Sequence, residues 1–219
     1  MPTGKPRHAL GLFGGTFDPI HQSHLALACA LRDQLALPEV RLIPTGIPAH
    51  RAPPHASPEQ RYTMAKLAIA NLPGLSIDPR EVKRHRACYT VETLREIRAE
   101  EGATCALWWL IGSDALAQLD TWREWRELFT LTHLAVAYRP GWSPDDLPPV
   151  IMQEWRSRQA TDFANLLPAG TMRPLDITPS AMSATDVRHS LAHGGDGDGC
   201  IPAAVLDYIQ QQQLYRSLT

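Results

Sequence analysis

Short, nearly uninterrupted apolar runs alternate along the chain with longer segments whose apolar residues recur every three or four positions. Residues 8–13 form such a run, stopped by Gly14-Gly15, and 20–35 then carry the helical spacing. The pattern predicts strand, glycine turn, helix. Residues 40–43 form a second run, ended by Pro44. Ser57-Pro58-Glu59-Gln60 joins a capping box to a proline at the first helical position, predicting a helix from 58 to about 72. Strands follow at 75–77 and 106–111, with a helix over 90–101 between them. Thr121-Trp122-Arg123-Glu124 has capping-box spacing and predicts another helix. A strand at 131–137 is closed by Arg139-Pro140-Gly141, and 144–149 is a proline-rich loop before a polar segment containing tryptophan. A last strand at 173–177 and two closing helices complete the pattern.

Runs without polar alternation, such as 106–111, belong to strands buried on both faces. Strands alternating with helices imply right-handed crossovers. The expected fold is therefore α/β, a Rossmann-like, doubly wound and mostly parallel sheet with helices on both faces and a small C-terminal helical part. One domain is expected over 1–219, with a core to about 178 and the helical part over about 179–219. Ligands in such sheets bind beyond the carboxyl ends of the strands. That rule selects loops 14–24, 44–55, 80–90, 112–122, 139–142 and 178–188.

Composition narrows the partners. The 219 residues are 44% hydrophobic and 20% charged, and the formal net charge is -2. Such a chain has no broad cationic field, so affinity for phosphates must come from a few placed groups, and nucleic acid is not an expected partner. Cys29, Cys88, Cys105 and Cys200 are far apart without a C-x-x-C pair, the usage of reduced packing residues. No apolar run approaches the ~18 residues that span a bilayer, so no membrane association is expected and the expected setting is the cytoplasm.

The stretch 14–25 is the most informative. Gly14 and Gly15 let backbone approach a ligand just before a helix start, whose free N–H groups attract anions. His21 and His24 are three apart and face one side. A helical zinc pair would be spaced four apart with an acidic partner between, and Gln22 and Ser23 cannot play that part. The Walker loop and the G-x-G-x-x-G fingerprint are both absent. Ser183-Ala184-Thr185-Asp186-Val187-Arg188 is a second helix start, with two hydroxyls and, one turn on, a guanidinium fork suited to a polyphosphate. Taken alone it is also an ordinary S-x-x-D cap. Asp196-Gly197-Asp198-Gly199 has the beginning of a calcium loop but no closing glutamate, and reads as a polar turn.

These motifs, together with residues 43–51 (IPTGIPAHR), 88–94 (CYTVETL), Ile111-Gly112-Ser113-Asp114, Thr121-Trp122, Arg139-Pro140-Gly141 and the closing 208–216, stand in an order that resembles the bacterial nicotinate-nucleotide adenylyltransferases. That family belongs to the H-x-G-H nucleotidyltransferases, and the likeness covers nearly the whole length. It implies transfer of AMP from ATP to nicotinate mononucleotide, releasing pyrophosphate, in NAD biosynthesis. It further implies that His21, His24 and Arg188 are catalytic, and that Gly14, Gly15, Thr16, Phe17, Gly112, Asp114, Ser183 and Thr185 join them around ATP. Thr16, Arg51, Tyr89, Thr90, Trp122 and Arg139 would bind the mononucleotide, Trp122 by stacking and Tyr89 and Thr90 at the carboxylate. Mg²⁺ would arrive on the ATP phosphates, with no protein metal site. Phosphate charge is expected to favour protonated histidines once ATP is bound. One departure is Ser23, where the family has glycine. Alternatives are a phosphopantetheine or nicotinamide mononucleotide adenylyltransferase, a glycerol-phosphate cytidylyltransferase, and a nucleotide-binding regulator without turnover. The phosphopantetheine and glycerol-phosphate enzymes are shorter and lack the Tyr89-Thr90 and Trp122 elements in this order. A monomer and a homo-oligomer both fit the sequence.

Overall fold

Alternation along each strand sends successive side chains to opposite faces, and here both faces are apolar. In Ala9–Gly15 (β1), Leu10 and Leu12 enter one buried cluster and Phe13 the other. A sheet of this kind must be covered on both sides. The computed structural model describes residues 8–49, 52–138, 142–160, 167–177, 183–197 and 199–216. After β1 come Gln22–Gln34 (α1), Val40–Pro44 (β2), Ile47–Pro48 (β3), Pro58–Ile69 (α2), Leu75–Ile77 (β4), Ala87–Cys88 (β5) and Thr90–Glu101 (α3). Ala106–Gly112 (β6), Ser113–Leu116 (α4), Leu128–Leu131 (α5), His133–Ala137 (β7), Pro149–Arg158 (α6), Met172–Leu175 (β8), Ala184–Ala192 (α7) and Ala203–Gln211 (α8) follow.

Six strands form one parallel sheet in the order β4-β2-β1-β6-β7-β8. The winding reverses between β1 and β6, which opens a crevice at their carboxyl ends. One face is packed by α1 and α2 and also by α7 and α8, whose Val187, Val205 and Ile209 join the same cluster as Leu25 and Met64. The other face is covered by α3 to α6, through Leu94, Ile97, Leu128, Ile151 and Trp155. A separate two-stranded sheet pairs β3 with β5, Ile47 opposite Ala87 and Pro48 opposite Cys88. All four cysteines are free thiols. Among the described residues no helix is long and apolar enough to cross a membrane.

One local expectation is corrected. Thr121 does not cap a helix: its hydroxyl donates back to the Gln118 carbonyl at 2.7 Å, and Glu124 lies in the left-handed region at φ +52. The segment therefore runs as 3-10 turns at Leu119–Thr121 and Trp125–Glu127 before α5. The polar stretch after the prolines is helical, because Ile151 and Trp155, four apart, anchor α6 in the core.

The amino ends of β6 and β7 are fastened by Arg98, whose guanidinium donates to the carbonyls of Leu131, Gly102, Cys105 and Pro168 at 2.5 to 3.1 Å. Arg98→Met keeps the apolar stem and strands these acceptors. It should cost about 2 kcal/mol, a melting temperature lower by about 4–8 °C for a chain this size. An unchanged melting curve would refute the clamp.

Candidate active site

Beyond its last ladder bond, β1 turns over the carboxyl edge of the sheet, where backbone groups have lost their strand partners and need others. Gly14 and Gly15 close the strand. A Cβ on Gly14 would stand 2.5 Å from the Trp109 ring, so packing from β6 alone requires glycine there. The Gly15 carbonyl accepts from Thr45 N–H at 2.9 Å, tying the first loop to the second. Thr16 follows half-buried, and Phe17 is buried in the left-handed region at φ +50 with its ring edge-on to His24, centroids 5.2 Å apart.

His21 is the N-cap of α1 and His24 stands at its third position, their rings 3.9 Å apart. His24 Nδ1 accepts from His21 N–H at 3.2 Å. That bond assigns the remaining proton of neutral His24 to Nε2. His21 Nδ1 is buried and has no hydrogen-bond partner among the described residues. Burial lowers His21 from its ordinary 6.5 to about 4. Burial, and then His21 itself, drives His24 well below its ordinary value. Without a ligand both rings are neutral at pH 7, a desolvated pair of donors and acceptors facing the start of a helix. Ser23 is half-buried between them.

The second helix start meets the first through Arg188, whose Nη1 donates to the Asp18 carbonyl at 2.6 Å across 170 positions of sequence. Its Nη2 donates to Thr185 Oγ1 at 3.2 Å. Ser183 caps α7, its N–H and hydroxyl both donating to the Asp186 carboxylate at 2.9 and 2.6 Å, while Asp186 N–H returns to Ser183 Oγ. The ordinary cap and the proximity to the histidine loop are thus both present.

Three residues to which the sequence assigned no role organise this edge. Asp18 is buried, and its carboxylate accepts from His55 N–H at 2.8 Å, Ala56 N–H at 3.1 Å and the Tyr215 hydroxyl at 2.7 Å. Arg61, fully buried in α2, donates to the carbonyls of Thr16, Gly46 and Ala56 at 2.7, 2.8 and 3.2 Å. Asp18 and Tyr215 lie inside motifs already noted. Arg61 carried a readable signal, since it occupies the stripe that Met64, Ala65, Ala68 and Ile69 make apolar.

The second and third loops meet at β3 and β5. A Cβ on Gly46 would lie 2.1 Å from the Glu81 carbonyl, so this approach too depends on glycine. Glu81 is buried and accepts from Thr93 Oγ1 at 2.6 Å, and burial raises its carboxyl above the usual range. Tyr89 and Thr90 sit at the α3 start, with Arg123 4.8 Å over the Tyr89 ring and Trp122 on the neighbouring turn. Gly112 and Asp114 stand exposed at the end of β6 and the start of α4. Arg51 and Arg139 lie outside the described residues.

The cytidylyltransferase-like family profile matches residues 12–190. A probable nicotinate-nucleotide adenylyltransferase of Laribacter hongkongensis is 56% identical over 212 residues, covering 97% of this chain and 96% of that protein. One from Chromobacterium violaceum is 55% identical over 208 residues, covering 94% and 98%. The fold is similar to that of Plasmodium falciparum nicotinic acid mononucleotide adenylyltransferase complexed with NaAD, with a TM-score of 0.72 at 16% identity over 95% of this chain and 97% of that one.

The depressed histidines have a thermodynamic signature. His133, fully buried against Trp108, is also lowered to about 4 by burial. Above pH 6.5 folded and unfolded chains agree in leaving these rings neutral. Between 6.5 and about 4 the unfolded state binds protons that the native state refuses, so stability falls as pH falls through that window. Each of His21 and His133 contributes a loss on the order of 3 kcal/mol by pH 4. Urea midpoints measured from pH 7.5 to 4 should decline accordingly, and a flat profile would contradict the burial of these rings.

Proposed function

Because the chain belongs to the nicotinate-nucleotide adenylyltransferases, within the cytidylyltransferase-like nucleotidyltransferases, we propose that it transfers AMP from ATP to nicotinate mononucleotide. The products are nicotinate adenine dinucleotide and pyrophosphate. The observation that best supports this reading at the level of the site is the meeting of two helix starts. The Arg188 to Asp18 hydrogen bond brings the beginning of α7 to the loop that precedes α1, and His21, whose buried Nδ1 has no partner among the described residues, caps that helix. Orphan amides, hydroxyls and a guanidinium gathered at one edge suit a triphosphate.

In the proposed reaction a 5′-phosphate oxygen of the mononucleotide attacks the α-phosphorus of ATP in line. The new P–O bond forms as the bond to the β-phosphate bridging oxygen breaks, and that oxygen leaves with pyrophosphate. The nucleophile is already an anion, so no side chain needs to be acylated, phosphorylated or used as a strong base. Rate then comes from positioning and from neutralising charge on the phosphates. His24 Nε2–H and Arg188 are assigned to the phosphate oxygens. His21, once beside that charge, regains a reason to bind a proton. Ser183 joins by turning its hydroxyl from Asp186 toward the ligand. Gly14, Gly15, Thr16, Phe17, Gly112, Asp114 and Thr185 complete the proposed ATP side, and Tyr89, Thr90, Trp122, Arg51 and Arg139 the mononucleotide side.

ATP is taken as its magnesium complex. Among the described residues the single group of three possible metal-binding side chains is His8, Glu101 and Cys105, at the amino ends of β1 and β6, opposite the crevice. The ion is assigned to phosphate oxygens and water, where it would offset charge on the leaving group.

With ATP and Mg²⁺, pyrophosphate release should proceed with nicotinate mononucleotide and be much slower with the nicotinamide form, whose amide lacks the charge the α3 amides can read. Equal rates would overturn the carboxylate pocket. His24→Ala or His21→Ala should lower kcat by about 10², the scale of one preorganised donor. Turnover near wild type in both variants would remove the histidines from the mechanism.

A further inference from the structure

Tyr215 joins the carboxyl-terminal segment to the site. Its hydroxyl reaches Asp18 Oδ1 at 2.7 Å across 197 positions, and the His55 ring lies 6.5 Å from its own. The backbone around it is held in an unfavourable form, with Gln213 at φ +55 and Tyr215 at φ +60, both in the left-handed region that side chains other than glycine avoid. A hydroxyl delivered by such a turn to a buried carboxylate is a placed contact.

What the contact controls follows from the other bonds of the same carboxylate. Oδ1 is shared with Ala56 N–H, and Oδ2 takes His55 N–H. These two amides end the second loop, the one that begins at Thr45 and, of the proposed mononucleotide contacts, carries Arg51. The main chain of Asp18 belongs instead to the ATP loop, where Arg188 holds its carbonyl. Asp18 thus joins the two substrate loops, and Tyr215 restricts the rotation of its side chain. Removing the hydroxyl leaves the carboxylate free to leave the amides of 55 and 56 without disturbing the backbone of the ATP loop.

We propose that Tyr215 is a positioning residue for mononucleotide binding, acting from the carboxyl-terminal segment through the carboxylate of Asp18. The geometry of one substrate loop is then set by a residue at the far end of the chain. The proposal rests on the transferase activity inferred above.

The test compares Tyr215→Phe with wild type and with Tyr208→Phe, which removes a hydroxyl from the preceding helix α8. Loss of one charge-assisted hydrogen bond should raise the KM for nicotinate mononucleotide about tenfold. The KM for ATP should stay within about twofold, with the melting temperature little changed and Tyr208→Phe close to wild type. In an Asp18→Asn background the Tyr215→Phe change should have less than about a twofold further effect, as coupled residues require. An unchanged mononucleotide KM overturns the proposal. So does a loss confined to kcat and thermal stability, which marks a merely structural role, or full additivity with Asp18→Asn. A wild-type protein that turns over neither mononucleotide would instead defeat the assigned activity, a result distinct from all of these.

Discussion

A parallel sheet satisfies its own backbone until its strands end, and the loops that carry chemistry begin where that supply stops. In this protein the deficit is met by two buried ions of opposite sign. Arg61 donates hydrogen bonds to carbonyls of the first and second loops, while Asp18 accepts them from amides of the second. The donor and acceptor roles are complementary, and among the described residues the hydrogen bonds of both ions go to backbone groups, with Tyr215 and the nearby His55 ring the side chains at Asp18. Burial pulls the Arg61 guanidinium below its ordinary value and the charge of Asp18 opposes that shift. A buried ion is tolerable when every polar atom around it is used. Here the cost of burial becomes rigidity in loops that an apolar plug could not orient, because hydrogen bonds have direction and dispersion does not.

The histidine pair follows from that rigidity. Phe17 packs edge-on to His24 and the His21 N–H holds His24 Nδ1, so the His24 ring is fixed in place, while His21 beside it is buried. The ligand-free site holds neutral imidazoles under an unmet demand for polar partners. On the proposed assignment a triphosphate would meet the demand, and its charge would act where little water remains to screen it. Catalytic groups of this sort are prepared before the substrate arrives, which is the condition for electrostatic help without reorganisation.

Periodicity made the sheet and its covering helices legible, because burial on both faces leaves long apolar runs in 9–15 and 106–112. It failed at Thr121, whose motif depends on a backbone that Glu124 bends into the left-handed region, a property with no signature in residue spacing. The glycines of the first loop were read for ligand access, whereas Gly14 is required by the width of Trp109, a contact between strands far apart in sequence. His21, His24, Ser183 and Arg188 stood out as types near glycine turns and caps. Asp18, Arg61 and Tyr215 did not, since their partners are backbone atoms and each other. Such residues leave a trace only as polar letters in apolar positions, as Arg61 does among Met64, Ala65 and Ala68.

The little sheet of β3 and β5 fastens the second loop to the third, with Gly46 pressed onto the Glu81 carbonyl beside it. Two loops stitched in this way share one stiffness. A displacement of either loop is transmitted to the other through the paired strands and the Gly46 contact. On the proposed assignment, selection of the smaller nucleotide would then be a collective property of the two loops, and substitutions on one would retune contacts made by the other.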